Sequence, residues 1–349
     1  MPRPVNSTSP SFRTLRSPED LLQAGLIAKE ETDAIRHVAE QYATAIPPAF
    51  AELIGHPSDP IGLQVIPSAE ELITTPEERS DPIGDEALSP VPGIVHRYAD
   101  RVLLKPTLIC PLYCRFCFRR EHVGPSGGLL TEAQLETALD WLRNHEEIRE
   151  VILTGGDPLM LSPRRLRDIL SALEEIPHIT TLRLHTRVPV AAPERITQDL
   201  LESLETRRVL WIAIHANHAR EFSPDALRAI SDLRRKGLPL LGQSVLLRGV
   251  NDNTDSLEAL LRAMVEAGIK PYYLHHLDPA PGTARFAVPV EEGQALLRSL
   301  RGRVTGLAWP TYVLDIPGGH GKVPLSPEYL SPDENTVEDP SGQRHVFRS

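Results

Sequence analysis

The chain has 349 residues, of which 41% are hydrophobic, and 37 Lys and Arg stand against 47 Asp and Glu. The net charge of −10 argues against nucleic acid or an anionic membrane as the main partner. No apolar run approaches the roughly 18 residues of a membrane-spanning helix, and the polar N-terminus has no signal-peptide core. We therefore expect a globular, cytoplasmic protein.

Both ends of the chain differ in amino-acid composition from its centre. Residues 1–16 are polar and contain Pro and Ser, which predicts a disordered start. The region 17–95 begins with one or two amphipathic helices, broken near Gly25, and continues as a Pro-rich segment. We expect this region to wrap the rest of the protein with little core of its own. The polar residues 325–349 predict a C-terminal tail.

The centre of the chain alternates apolar, strand-like runs with helical periods. Strands that are apolar on both faces, joined by helices, are typical of a parallel sheet. Six such units and a seventh strand predict an α/β fold, a full or partial TIM-like (β/α) barrel over residues 96–324. The predicted strands are 101–109, 150–156, 180–186, 209–215, 238–247, 270–278 and 310–315. The predicted helices are 131–145, 162–175, 197–205, 223–237, 254–268 and 290–302.

Residues with catalytic or binding chemistry stand in or near the ends of these strands. Parallel barrels place their active sites at the carboxyl ends of the strands, so this placement predicts a single site there. In chain order the residues are a cysteine loop, Gly155-Gly156-Asp157, Thr186-Arg187, His215, Gln243, Asp278, Asp315 and Lys322.

The chain has three cysteines, Cys110, Cys114 and Cys117, in the run CPLYCRFC. An odd, clustered set is a poor disulfide framework but a good set of metal ligands. Three thiolates on a [4Fe–4S] cluster leave one iron open, and S-adenosylmethionine can chelate that iron. A zinc site is a weaker alternative, because it usually takes four ligands and C-x₂-C pairs. Three incidental core cysteines are weaker still.

CPLYCRFC resembles the signature of the radical S-adenosylmethionine superfamily, in which an aromatic residue at the position of Phe116 packs the adenine. TGGDP at 154–158 resembles the superfamily's Gly-Gly-Glu-like motif, which holds the cofactor's amino group. That resemblance assigns the cofactor to Gly155, Gly156 and Asp157, with an aspartate in the place of the glutamate. An ordinary strand-to-helix turn is the alternative for this motif.

The segment DIPGGHGKVP (315–324) superficially suggests a phosphate-binding loop. It lacks that loop's pattern, because Ile316 stands where glycine is required and Val323 where Ser or Thr should bind magnesium. What remains is Lys322 on a glycine-rich turn. Such a lysine can form a Schiff base with pyridoxal phosphate, although a solvated surface lysine is the commoner outcome.

Residues 88–324 resemble the lysine 2,3-aminomutase family, and the resemblance assigns further roles. Lys322 would carry pyridoxal 5′-phosphate, Arg97 and Arg101 would bind its phosphate through their forked donors, and Gln243 and His215 would line the cofactor pocket. The motifs are, in order, SPVPGIVHRYADRVLL, CPLYCRFCFRR, LTGGDPL, HANH, QSVLLRGVND, PYYLHHLD and YVLDIPGGHGK.

The same resemblance implies a substrate and a reaction. Arg119 would bind the carboxylate of L-lysine, and Asp278 and Asp315 its distal ammonium, which in a dry pocket needs opposite charge nearby. A 5′-deoxyadenosyl radical would abstract hydrogen from C3 of the external aldimine. The 2-amino group would then move to C3, and hydrogen would return from 5′-deoxyadenosine, giving β-lysine and regenerating the cofactor.

Other functions remain open from the sequence. At 349 residues the chain is closer in size to the enzymes that supply β-lysine for modification of elongation factor P, although as a rule these do not keep the aspartate of DIPGG. An aminomutase acting on another amino acid is a further alternative, and a non-catalytic iron–sulfur protein is the weakest. We expect an external electron donor such as flavodoxin or ferredoxin, and a homo-oligomer is compatible with the sequence.

Overall fold

The computed structural model describes residues 13–124, 127–331 and 335–346. Its centre is a nine-stranded sheet whose strands follow one another in chain order. The strands are β1 Ile94–Tyr98, β2 Arg101–Thr107, β3 Glu150–Gly155, β4 Thr181–Thr186, β5 Val209–His215, β6 Leu240–Val245, β7 Lys270–His275, β8 Thr311–Asp315 and β9 Lys322–Pro324.

Ten α-helices lie within the described residues. The six long connections predicted from the sequence all contain a helix at the expected place. The helices are α1 Pro18–Gln23, α2 Thr32–Gln41, α3 Pro48–Ala51, α4 Glu132–Arg143, α5 Pro163–Glu174, α6 Val188–Ala191, α7 Gln198–Ser203, α8 Pro224–Arg235, α9 Thr254–Glu266 and α10 Val290–Leu300. No helix in these ranges is both long and apolar enough to cross a bilayer.

The sheet is an open, partial barrel. Strands β2 to β8 run parallel, whereas β1 and β9 pair antiparallel with their neighbours and form the two edges. The sequence predicted the seven parallel strands correctly but missed both edge strands. Both are short and contain polar residues, IVHRY and KVP, so neither has the apolar run that marked the others.

Strand β4 shows how the sheet serves both a core and a cavity. Leu182 and Leu184 are fully buried in the main apolar core, whereas Arg183 and His185 line the interior of the half-barrel. Alternate side chains of a strand point to opposite faces. The expectation that the strands are apolar on both faces is therefore wrong for β4, because one of its faces borders a cavity.

The N-terminal region has more core than the sequence suggested. Phe50 and Ile61 belong to an apolar cluster that packs against Leu112 of the cysteine loop. Leu15 is buried and exchanges two backbone hydrogen bonds with Ile46, of 2.9 and 3.0 Å. Residues 1–12 of the predicted disordered start lie outside the described residues. The region therefore packs directly on the loop that carries the cysteines.

The C-terminal tail contains a small antiparallel sheet of β10 Leu330–Ser331, β11 Thr336–Glu338 and β12 Arg344–Val346. Arg298 on α10 holds it to the barrel through an ion pair of 2.5 Å with Glu338. The polar composition of this segment did not predict strands.

Candidate active site

A cavity of about 480 Å³ runs through the half-barrel and is lined by residues of all nine strands. It extends from the cysteine loop, which follows β2, to Arg101 at the start of β2. At about 3.3 Å per strand residue, the length of β2 separates these two ends by roughly 20 Å. Every residue that the sequence singled out for a site lines this cavity. They are Arg97, Arg101, Cys110, Cys114, Phe116, Cys117, Arg119, Gly155, Gly156, Asp157, His215, Gln243, Asp278, Asp315 and Lys322.

The three cysteines are free thiols at one end of the cavity. Burial raises the pKa of Cys110 well above its usual value and that of Cys117 to about 11, and repulsion from neighbouring thiolates adds to both shifts. Buried thiolates this close together need a cationic partner, which iron supplies. The donor set therefore fits an iron–sulfur cluster.

A single metal ion fits this loop less well. In the described part of the chain, no three His, Cys, Asp or Glu side chains converge on one metal position. In a cubane each protein thiolate binds a different iron, so the three sulfur atoms lie apart. The zinc alternative gains no support from this geometry.

Gly156 brings the β3 loop against the chain that enters the cysteine loop. Its backbone N–H donates to the Thr107 carbonyl at 2.7 Å, and the Asp157 N–H donates to that of Ile109 at 2.9 Å. A Cβ atom at Gly156 would lie 2.4 Å from the Ile109 carbonyl oxygen. Only glycine permits this close approach of two backbones, which places the motif directly beside Cys110.

The Asp157 carboxylate is buried and takes its donors from the protein itself. It accepts hydrogen bonds from the Thr186 hydroxyl at 2.8 Å and from the backbone N–H groups of Leu159, Arg187 and Val188. Burial nevertheless raises the pKa of Asp157. In this structure the carboxylate ties the β3 loop to the β4 loop, and its role toward S-adenosylmethionine stays a prediction.

Phe116 and His215 stack on one another beside the cysteines, with ring centroids 5.7 Å apart. Burial lowers the pKa of His215 well below its usual value, so its imidazole is neutral. Its buried Nε2 atom has no hydrogen-bond partner among the described residues. An unpartnered ring nitrogen in a cavity wall is a position for a polar ligand atom.

Arg187, which the sequence placed at the predicted site without a specific role, lies at this end of the cavity. Its guanidinium donates to the Cys114 sulfur at 2.7 Å, to Gln64 at 2.6 Å and to Glu221 at 2.9 Å. Gln64 lies in the N-terminal region and Glu221 follows β5. Partners this distant in the chain leave no local sequence pattern.

Lys322 lies in a group of charges at the seam of the half-barrel, where the β1 edge meets β8 and β9. Its ammonium contacts Asp315 at 2.6 Å, and Arg97 donates to the other oxygen of the same carboxylate at 2.9 Å. Arg97 also donates to the Ile83 carbonyl at 2.6 Å. The phosphate ligand predicted at Arg97 is thus already paired with Asp315 here, because β1 and β8 face each other across the seam.

Arg101 is more open than Arg97. Its guanidinium stacks on the Tyr98 ring at 3.8 Å and pairs with Asp100 at 2.7 Å, with a third of the side chain exposed. Arg183 on β4 also lines the cavity and pairs there with Glu150 at 2.6 Å. This end of the cavity has the cationic side chains that a phosphate group requires.

Asp278 is a carboxylate without a direct partner. Within the described residues no hydrogen-bond donor or cation contacts its oxygens, and burial together with repulsion from Asp315 raises its pKa to about 7. A carboxylate shifted this far is stabilised by a cation that enters the cavity.

Arg119 is held by a residue that the sequence did not single out. Its Nε donates to the carboxylate of Asp85 at 2.7 Å. Burial opposes ionisation of Asp85, but Arg119, Lys105 and Arg97 hold its pKa below the usual range. Asp85 lies in the wrapping segment, where nothing in the local sequence distinguishes it from other acidic residues.

Two further histidines line the cavity and were missed by sequence analysis. Burial lowers the pKa of His185 well below its usual value and that of His275 to about 3, with Lys322 adding to both shifts. The Nε2 atom of His185 is buried without a partner among the described residues. Inward-facing histidines on β4 and β7 carry no recognisable spacing in the sequence.

Comparison with known proteins shows the family of this chain. The model of the radical SAM superfamily matches residues 104–264, and a lysine-2,3-aminomutase model matches residues 297–337. The chain is 40% identical to a putative L-lysine 2,3-aminomutase of Aquifex aeolicus, over 86% of this chain and 82% of that protein. It is 38% identical to the L-lysine 2,3-aminomutase of Clostridium subterminale, over 89% of this chain and 76% of that protein.

A relative named for a different substrate also matches. The glutamate 2,3-aminomutase of Clostridioides difficile is 37% identical, over 87% of this chain and 72% of that protein. The superfamily match implies a [4Fe–4S] cluster and S-adenosylmethionine, which the buried thiols fit. From these matches together, the chain is an enzyme of the lysine 2,3-aminomutase family, within the radical SAM superfamily.

Proposed function

We propose that this enzyme converts L-lysine into β-lysine by moving the 2-amino group to C3, with pyridoxal phosphate as its second cofactor. Family membership supports the reaction type, and the charges in the cavity support the substrate. Bound in this cavity, the cluster and S-adenosylmethionine would supply a 5′-deoxyadenosyl radical, and pyridoxal phosphate would carry the amino group during its transfer.

The choice of lysine as substrate depends on the electrostatic environment of the Asp278 carboxylate. Its carboxylate is half-buried in the cavity without a direct cation, and loss of solvation together with repulsion from Asp315 raises its pKa to about 7. An ammonium group bound between the two aspartates would remove this repulsion and stabilise both charges. The distal ammonium of L-lysine has this charge, and Arg119 in the same cavity offers a cation for the carboxylate.

A glutamate substrate is disfavoured by the same charges. Its distal carboxylate would meet Asp278, whose pKa is already raised by burial and by its acidic neighbour Asp315. Like charges in a buried site oppose one another strongly, so glutamate binding would require protonation of one group. We therefore choose lysine over glutamate, even though one relative acts on glutamate according to its name.

Lys322 is our choice for the residue that binds pyridoxal phosphate. Its ammonium lies in the cavity, 2.6 Å from Asp315, and neutral His185 offers a ring nitrogen without a partner. Arg101 and Arg183 provide positive charge deeper in the same cavity. The enclosing walls would orient the reacting groups and exclude water and oxygen from a radical.

The test is an anaerobic assay with dithionite, S-adenosylmethionine, pyridoxal phosphate and a panel of amino acids. L-lysine should give β-lysine in a reaction that requires S-adenosylmethionine and dithionite, while L-glutamate and L-ornithine should give little product. Products are separated by mass and chirality. Turnover of L-glutamate in preference to L-lysine would contradict the proposed substrate, and conversion of L-lysine to β-lysine without S-adenosylmethionine would contradict the radical reaction.

A further inference from the structure

Asp85 lies at the centre of a small group of cations on the cavity wall. Its Oδ2 accepts the hydrogen bond from Arg119 Nε at 2.7 Å and lies 3.7 Å from Lys105 Nζ. Its Oδ1 lies 3.5 Å from a terminal nitrogen of Arg97. Only 8% of the Asp85 side chain and 11% of the Arg119 side chain are exposed. The contact is therefore a largely buried, charge-assisted hydrogen bond, which is stronger than a surface ion pair.

The backbone around Asp85 is itself anchored, so the carboxylate has a defined position. The Asp85 N–H donates to the Asp81 carboxylate at 2.7 Å, and the Ser89 hydroxyl donates to the Asp85 carbonyl at 2.7 Å. One turn before it, the Pro82 carbonyl accepts from Gly318 N–H at 3.0 Å. The segment is thus held against the turn that precedes Lys322.

The contact with Asp85 decides which part of the Arg119 guanidinium can meet a ligand. Nε is occupied, and no other hydrogen bond of this side chain occurs within the described residues. The two terminal nitrogens are left, and Arg119 lines the cavity. A guanidinium binds a carboxylate through two parallel hydrogen bonds. The pair is either side-on, through Nε and one terminal nitrogen, or end-on, through both terminal nitrogens. Only the end remains available.

We propose that Asp85 is a positioning residue for substrate binding: it fixes Arg119 so that the two terminal nitrogens receive the substrate's α-carboxylate end-on. This inference rests on the proposed function and goes beyond it, because an acidic residue of the N-terminal region would contribute to carboxylate recognition by holding Arg119. Asp85 itself does not touch the substrate. An α-amino acid gains from this arrangement, whereas an amine without a carboxylate does not.

The test compares two ligands that differ only in the carboxylate. Binding of L-lysine and of 1,5-diaminopentane to protein loaded with pyridoxal phosphate is measured by calorimetry, without reductant. Asp85→Ala should weaken L-lysine binding about ten- to a hundredfold, the range expected for losing a hydrogen bond to a charged group. Binding of 1,5-diaminopentane should stay unchanged. Asp85→Asn keeps an acceptor oxygen for Arg119 Nε and should restore most of the L-lysine affinity.

Asp59→Asn is the matched control. Asp59 is a carboxylate of the same N-terminal region that pairs with Arg220 at 2.9 Å, outside the cavity lining, so both affinities should remain at the wild-type level. Equal losses for both ligands in Asp85→Ala, or no loss for either, would overturn the inference, as would an Asp85→Asn protein as impaired as Asp85→Ala. A wild-type protein that binds 1,5-diaminopentane but not L-lysine would overturn it too. A wild-type protein that binds neither ligand would refute the proposed function, and the inference with it.

Discussion

The backbone N–H of Lys322 donates a 2.8 Å hydrogen bond to the phenol oxygen of Tyr98. Tyr98 ends β1 and Lys322 begins β9, so this contact joins the two edge strands of the open barrel. A second contact, from Arg97 to Asp315, crosses the same seam. The proposed cofactor lysine is therefore positioned by the far edge of the sheet as well as by its own turn.

Removing the Tyr98 hydroxyl should loosen this seam. Tyr98→Phe keeps the ring on which Arg101 stacks but loses the hydrogen bond to Lys322, a net cost of about 0.5–1.5 kcal/mol. We expect pyridoxal phosphate to bind up to about tenfold more weakly, measured by titrating the cofactor's absorbance. Unchanged cofactor affinity would show that the turn alone positions Lys322.

Replacing a cluster ligand should remove the iron. Anaerobic reconstitution of the wild-type chain should give about four irons per chain, and Cys114→Ser should lose most of them, measured by iron and sulfide analysis. Ser203→Ala, at a buried serine on α7 away from the cavity lining, is a control that should retain the cluster. Zinc bound in place of iron by the wild type would contradict the radical chemistry.

Lys322→Ala should abolish the visible absorbance of pyridoxal phosphate bound to the protein, because the amine that binds the cofactor's aldehyde is gone. Lys105→Ala is the informative comparison. Lys105 is the other lysine near this group of charges, and it lines a small neighbouring cavity. That variant should keep the absorbance. Loss of the band in Lys105→Ala and its survival in Lys322→Ala would mean that the cofactor lysine is misassigned.

The raised pKa of Asp278, about 7, predicts a pH dependence. Below pH 7 its carboxyl is protonated and attracts an ammonium poorly, so L-lysine affinity should rise between pH 6 and pH 8.

In the absence of substrate, the free energy of unfolding should change with pH in the opposite direction. A carboxyl with a raised folded-state pKa contributes stability that is lost as the pH rises through about 7. Asp278→Asn should therefore flatten both profiles, measured by calorimetry and thermal unfolding, and an unaltered affinity profile would contradict the role of Asp278.

Gly156→Ala should disturb the cysteine loop without altering any ligand. The added Cβ would lie 2.4 Å from the Ile109 carbonyl oxygen, so one of the two backbones must move. Overpacking of this kind costs about 1–3 kcal/mol. We expect a lower melting temperature and a lower iron content, with Gly306→Ala as control, since nothing lies within 4 Å of a Cβ there. A normal iron content would show that the loop tolerates the shift.

The cavity lining includes the residues that the sequence assigned to a site, but also His185 and His275, which the sequence missed. Cys110 and Asp278 line the cavity as expected, because each follows a parallel strand, and Lys322 lines it at the start of the antiparallel edge strand β9. The partners of the arginines were not predictable. Gln64, Glu71 and Asp85 bind Arg187, Arg115 and Arg119, respectively, and all three come from a region that sequence analysis treated as a wrapping segment.

The sequence by itself determined the alternation of strands and helices, the thiolate loop after the first parallel strand and the lysine after the last. These features depend on periodicity and spacing over a few residues, which local patterns record. Only the tertiary structure decided that Arg97 pairs with Asp315, 218 residues away, that Tyr98 holds Lys322, and that Asp85 holds Arg119. Such contacts arise when the half-barrel brings its two edges together, and an individual Asp or Tyr has no neighbouring pattern that records its distant partner.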